Sequence, residues 1–344
     1  MEMNNVTQAE TTAPTVRPTD TKGILLALAA YGLWGAFPFY FMLLGDAGPL
    51  EIVGHRVLWS LVFCLIGVIA WRALAELRAV LRSPRLLTGL MVAGVLVSVN
   101  WLVYVWGVLN DHIVDTALGY FINPLFTVTL AVLVLRERLR PAQWAAVGIG
   151  TAAVIVIAIG YGQVPWVALV LATTFGLYGL AKNRVGGRVS PLVGLTVETG
   201  GISPVAFGYL VWLQATGASS FIGHGPGHSL LLVGAGAVTA VPLLLFAGAA
   251  SRIPLSMMGL IQYVAPVIQF GIGVWVNHEV MPLPRWIGFG LVWVALIILT
   301  IDSLRAARNR PIPVEPDNEP ASRVGDPGTD DDRHAAVFRV ESRP

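Results

Sequence analysis

The feature that most constrains this chain is a repeat with an odd number of apolar segments in each copy. Pro124, Glu137, Trp144 and Gly148 recur as Pro266, Glu279, Trp286 and Gly290, each at an offset of 142. Pro49-Leu50 and Pro191-Leu192 keep that offset. Near the start it drifts to 144, where Tyr31-Gly32-Leu33-Trp34-Gly35 matches Phe175-Gly176-Leu177-Tyr178-Gly179. Apolar segments lie near 22–43, 50–71, 86–107, 114–135, 142–160, 164–182, 191–213, 229–250, 255–276 and 284–302, five in each copy. Each is close to the about 20 residues that a bilayer crossing needs. A chain that crosses five times starts its second copy on the opposite side, so the two copies must be inverted. The expected fold is an all-α integral membrane protein, ten transmembrane helices arranged as two inverted five-helix repeats. It divides into a flexible arm (1–21), two repeats (22–160 and 161–303) and a disordered cytoplasmic tail (304–344).

Composition supports a membrane class. Charged residues are 12% of the chain and hydrophobic residues 55%, whereas a soluble domain carries about 25% charge. Sixteen of the 22 Lys and Arg residues precede the first segment or follow the even-numbered ones, and only Arg285 follows an odd one. Positively charged loops stay cytoplasmic. Ten crossings with both termini inside the cytoplasmic (inner) membrane follow, and the uncleaved first segment is read as a span rather than a signal peptide. Pro311, Pro313, Pro316, Pro320 and Pro327 with the acidic run Asp330-Asp331-Asp332 keep the tail from burying enough apolar surface to order itself.

Segments 5 and 10 are apolar nearly all round, which suits a peripheral, lipid-facing place. The others carry polar groups, and polar groups at membrane depth face a bundle interior or a cavity. Arg56 lies about six residues, or ~9 Å, into the second segment. Three roles are open to it: a structural arginine paired with Glu51, Asp115 or helix-end carbonyls, a substrate or gating group, or a side chain snorkelling to the outer headgroups. His55 adjoins it. Glu198 stands 142 residues from Arg56, an acid where its mate has a base. It is either half of an ion pair or a protonatable carrier. Inversion sets the two charges roughly 10 Å apart in depth, so each is expected to serve its own half. Asn100, Trp101, Tyr104, Asp115, Tyr120, Asn123, Gln262, Tyr263 and Gln269 complete the candidate cavity. Pro124 and Pro266 each remove a backbone donor and can kink their segments. Glu137 and Glu279 are read as helix-junction acids bonded to nearby donors.

Several chemistries are set aside. There is no Walker A pattern, no nucleophile–base constellation and no basic patch for nucleic acid. His224 and His228 are spaced for a helix, but "GHGPGH" is not expected to be helical and no metal is expected there. The lone Cys64 forms no disulfide framework. No cofactor is expected. The partners are a small-molecule substrate, the lipid bilayer and, as a candidate coupling ion, protons.

The segments "EIVGHRVLWS", "VNWLVYVWGV", "ALGYFINPLFTVTLAVLVLRERL", "SPLVGLTVET" and "GLIQYVAPVIQF" resemble, in this order, the RarD branch of the EamA-type permeases, within the drug/metabolite transporter superfamily. The resemblance spans Lys22 to Asp302. It implies ten helices in two inverted repeats, a central cavity, helices 5 and 10 outside it, and secondary active transport at the cytoplasmic membrane. The branch is associated with chloramphenicol sensitivity. The resemblance also implies Glu where this chain has the shorter Asp115. The expected function is a permease moving a small organic solute or drug-like metabolite by alternating access. An integral-membrane enzyme or lipid-modifying protein using the same cavity is the alternative.

Overall fold

The computed structural model describes residues 20–136, 138–185 and 188–308. Within lipid only helices and closed barrels satisfy every peptide group, and the described residues of this chain use helices alone. They are α1 (Thr21–Gly35), α2 (Phe37–Met42), α3 (Pro49–Ala70), α4 (Leu74–Leu81), α5 (Pro84–Leu109), α6 (Ile113–Leu135), α7 (Pro141–Tyr161), α8 (Trp166–Val185), α9 (Pro191–Ala215), α10 (Pro226–Ala250), α11 (Leu255–Ile261), α12 (Val264–Gly271) with a π-helical turn (Ile272–Val276), and α13 (Leu283–Arg308). Five of the long helices, α3, α5, α7, α9 and α10, open on proline, whose missing N–H costs nothing in a first turn. Asp20 caps α1 by accepting from the Lys22 and Gly23 amides. α7 ends on Gly162 at φ +71°, a left-handed conformation that glycine adopts without penalty.

Eight helical stretches are long and apolar enough to cross a membrane: α1–α2, α3, α5, α6, α7, α10, α11 through the π-turn, and α13. α8 and α9 are long enough but less apolar. α8 packs on α5 and α6, and α9 on α3 and α5. α4, an amphipathic helix between α3 and α5, falls in what the sequence reads as a basic loop. α13 reaches Arg308, so the first residues of the segment read as tail are helical. Asp20 and Thr21, the last residues of the segment read as arm, cap and begin α1; residues 1–19 and 309–344 and Glu137 lie outside the described residues.

Two packings are tight because glycine permits them. A Cβ at Gly94 on α5 would meet the Glu198 carbonyl of α9 at 2.8 Å. A Cβ at Gly236 on α10 would meet the Ser60 nitrogen of α3 at 2.7 Å and the Trp59 Cβ at 2.6 Å. α7 and α13 pair with each other and present Ile155, Ile159, Val294 and Ile297 outward.

Proline also breaks two of the spans. Pro38 cannot donate to the Trp34 carbonyl four residues back, and the chain divides at Ala36 between α1 and α2. Pro266 likewise frees the Gln262 carbonyl, and the chain divides at Gln262–Tyr263 between α11 and α12. Pro124 sits within an unbroken α6.

Candidate functional site

Arg56 lies on α3, one residue from His55, and is 4% exposed. Its Nε donates to the Thr239 hydroxyl of α10 at 2.8 Å. That hydroxyl in turn donates to the Ala235 carbonyl, so Thr239 is fully engaged. The guanidinium carbon stands 4.1 Å from the ring centroid of Trp101, 5.5 Å from Phe37 and 5.6 Å from Phe41. The hydroxyls of Tyr40, Tyr104 and Tyr120 lie within electrostatic reach. Among the described residues no carboxylate lies within ion-pair distance of Arg56, and its Nη1 is buried with no hydrogen-bond partner. The Tyr104 hydroxyl is also buried without a partner.

Asn100, on the same helix as Trp101 and Tyr104, is saturated. Its Nδ2 donates to the Leu171 carbonyl and the Thr174 hydroxyl of α8, and its Oδ1 accepts from Tyr120 of α6. It ties α5, α6 and α8 together. Gln269 of α12 donates to the Trp34 carbonyl at 3.1 Å, the acceptor that Pro38 releases. The Gln269 Oε1 and the Asn123 Oδ1 are buried and unpaired. Gln262 donates to the local Gly259 carbonyl, and Tyr263 packs on the core shared by α6, α7 and α13. His55 stacks on Phe221 at 4.7 Å, turned away from the Arg56 cage.

Both carboxylates that the sequence offers as partners of Arg56 are committed elsewhere. Glu51 accepts from the Ser219 hydroxyl and from the Ser220 amide and hydroxyl, while Ser220 also meets His228 Nε2 at 2.8 Å. His228 is helical after all, because α10 begins at Pro226. Asp115 pairs with Arg285 at 2.6 Å and with His112 at 2.9 Å. The two aspartate oxygens are thus claimed at the loop end of α6, where its short side chain holds it. Glu279 completes this knot. It accepts from the Ile113 and Val114 amides that open α6, the latter at 3.0 Å. Burial pushes its carboxyl above the usual range, against the pull of the Val114 amide and Arg285. The reading of Glu279 as a junction acid therefore holds at a named acceptor site.

Glu198 on α9 is 1% exposed and bonds Lys182 of α8 at 2.6 Å, with the Tyr178 hydroxyl at 3.3 Å. It does not pair with Arg56. At that end of the α3–α9 pair, Glu76 of α4 accepts from the Ser190 amide and hydroxyl. At the other end, Glu51 of α3 holds Ser219 and Ser220 after α9. The two clasps exchange roles: the acid begins α3 at one end, and the serine begins α9 at the other.

Lys182, Arg285, Thr239, Glu76 and the serine clasps were not singled out from the sequence. Lys182 and Arg285 read there as loop charges at span ends, and nothing in a sequence says which way a long side chain folds.

Known proteins match this chain along most of its length. The EamA-like transporter family matches residues 21–159. "Protein RarD" of Streptomyces exfoliatus is 50% identical over 286 residues, covering 83% of this chain and 90% of that protein. "Uncharacterized transporter YojE" of Bacillus subtilis is 41% identical over 297 residues, covering 83% and 96%. A protein of known crystal structure superposes at TM-score 0.54 with 18% identity, covering 82% of this chain and 99% of the other, a likeness of fold. With an EamA region in its first half and RarD homologues along most of its length, this chain belongs to the EamA-like transporter family, within the drug/metabolite transporter superfamily.

Proposed function

We propose that this protein is a secondary transporter of a small organic solute or drug-like metabolite, working by alternating access between two inverted five-helix repeats. The observation that carries the reading is that the helix packings come in pairs under the 142-residue offset. α3 packs on α10 as α9 packs on α5; α8 packs on α5 and α6 as α1 packs on α10 and α12. α3–α9, α6–α12 and α7–α13 pair with their own counterparts. Gly94 and Gly236 are themselves 142 apart, and each seats its helix on the other half's charged helix. On this reading α8 and α9 cross the membrane too, and the twofold makes either end of the α3–α9 pair able to open in turn. The Glu51 clasp closes one end and the Glu76 clasp the other. The arginine distribution supports a cytoplasmic side for the Glu76 end and both termini, at the inner membrane. Glu198 and Asp115 are the acids placed to couple protons, and the names of the relatives speak for transport rather than catalysis.

The test is counterflow. Solutes whose cellular levels change on deletion are loaded into proteoliposomes, and labelled solute is offered outside with and without an imposed pH gradient. The expected result is protein-dependent accumulation without ATP, enhanced by a gradient if protons couple. Chemical conversion of the solute without exchange would instead favour the enzyme alternative.

A further inference from the structure

Among the described residues, the charge that Arg56 brings into the bundle is left without a counter-charge. A cation buried within a span is costly. Native proteins offset such a cost by pairing the charge or by hydrogen-bonding it fully. Here Trp101, Phe37 and Phe41 offer ring faces to the cation. Thr239 supplies the acceptor for Nε. Nη1 has none, and neither does the Tyr104 hydroxyl, whose ring lies 6.1 Å from Phe41 and 5.8 Å from Tyr120. Two buried donors without acceptors sit beside one uncompensated positive charge and within aromatic walls. Glu51, Asp115 and Glu198 cannot serve them without abandoning Ser219 and Ser220, Arg285 and Lys182.

We propose that Arg56 anchors a binding site for a small organic carboxylate with an aromatic or bulky apolar body. This is the substrate class of the transporter proposed above, and the inference rests on that reading. A carboxylate presents two oxygens in the plane of a guanidinium fork and accepts charge-assisted bonds, which an amide or alcohol does not. Tyr104 supplies a further donor, and Trp101, Phe37 and Phe41 take the apolar body. Anion entry would neutralise Arg56 at the point where α1–α2, α3, α5 and α10 meet.

The test uses the full chain in lipid nanodiscs and proteoliposomes. The probes are aromatic and branched aliphatic carboxylates, each matched with its primary amide. In the wild type, carboxylates should bind at least about tenfold more tightly than their amides by thermal shift and should counterflow preferentially. Arg56→Gln should abolish the carboxylate preference while the protein still elutes as a folded species. Arg56→Lys, which keeps the cation and loses the planar fork, should retain a weakened preference and guards against a glutamine variant that fails to fold. Equal binding of acids and amides by the wild type overturns the proposal without any variant. So does an acid preference that survives in Arg56→Gln. Counterflow of amides as fast as acids would sink the substrate class while leaving transport intact. Acid-selective binding with no counterflow of any probe would keep the site and count against transport.

Discussion

Arg56 and Glu198 hold equivalent places in the two halves, 142 residues apart, and their surroundings differ in kind. Glu198 is nearly inaccessible, but its charge is met by Lys182 at 2.6 Å and by the Tyr178 hydroxyl. Lys182 keeps 31% of its side chain exposed, so the pair is tethered to solvent through its cation. Arg56 is equally deep in its own half and meets rings and one hydroxyl instead. A buried charge with a counter-charge is a structural element that can be replaced. One without a counter-charge is a fold-level expense that function has to justify. The 142-residue repeat therefore carries the helix packing through but not the surroundings of the two charges.

The largest effect expected from breaking this contrast falls on Lys182. Lys182→Met strands a carboxylate with 1% exposure and should cost about 3–5 kcal/mol, the range for removing one partner of a buried pair. Glu198→Gln leaves a lysine that already reaches solvent and should cost no more than about 2 kcal/mol. The double variant Lys182→Met/Glu198→Gln should recover most of the loss. Thermal unfolding of the purified protein reads all three. Equal losses in the two single variants would show that Lys182 is as trapped as Glu198 and would erase the distinction from Arg56.

A middle-sized effect tests whether the halves share their packing. Gly94→Ala and Gly236→Ala each push a Cβ into the backbone of the facing helix. Overpacking of this kind costs about 1–3 kcal/mol, and Gly236 should be the worse because its neighbours are closer. Gly148→Ala and Gly290→Ala, another pair 142 apart, meet nothing within 4 Å and should be neutral or stabilising by about 0.5–1 kcal/mol. Thermal unfolding again decides. A harmless Gly94→Ala beside a damaging Gly236→Ala would show that the two contacts are not equivalent.

Eight of the ten expected spans, and their order, were legible in the sequence because length and apolarity signal them directly, and Arg56 and Glu198 stood out because charges in such segments are rare. α8 and α9 are the exceptions, long helices less apolar than the other eight stretches. The partners were not legible. Thr239 is one mild polar residue in a long apolar run. Arg285 counted as an ordinary loop charge, yet it is buried against Asp115. The break in the ninth segment falls at Gln262–Tyr263 rather than at Pro266, because a proline disrupts the carbonyl four residues before it. Pairings between segments more than 160 residues apart, such as Glu51 with Ser220 or Glu279 with Val114, depend on the tertiary fold and have no local signature.

Glu279 offers the finest test, because it stands between the two extremes: a buried acid answered by backbone amides at 3.0 Å and by Arg285 only at 3.9 Å. Burial outweighs those partners and raises its carboxyl above the ordinary value of 4.5. With the folded value raised above the unfolded one, the stabilisation by the neutral form is complete below the unfolded pKa. It is lost as pH rises through the folded pKa. Wild-type protein should therefore gain most over Glu279→Gln in acid, and the advantage should shrink as pH climbs from about 4.5 toward neutrality. The expected change is about one or two degrees in the unfolding midpoint. His112, Asp115 and Arg285 face the same knot, so the comparison is made between these two proteins at each pH, where their contributions are common. An advantage that grows with pH would mean that the amides of Ile113 and Val114 and the Arg285 cation dominate burial. Glu279 would then belong with Glu198 as a compensated charge, and Arg56 would be the one group in the comparison whose burial the protein leaves unanswered.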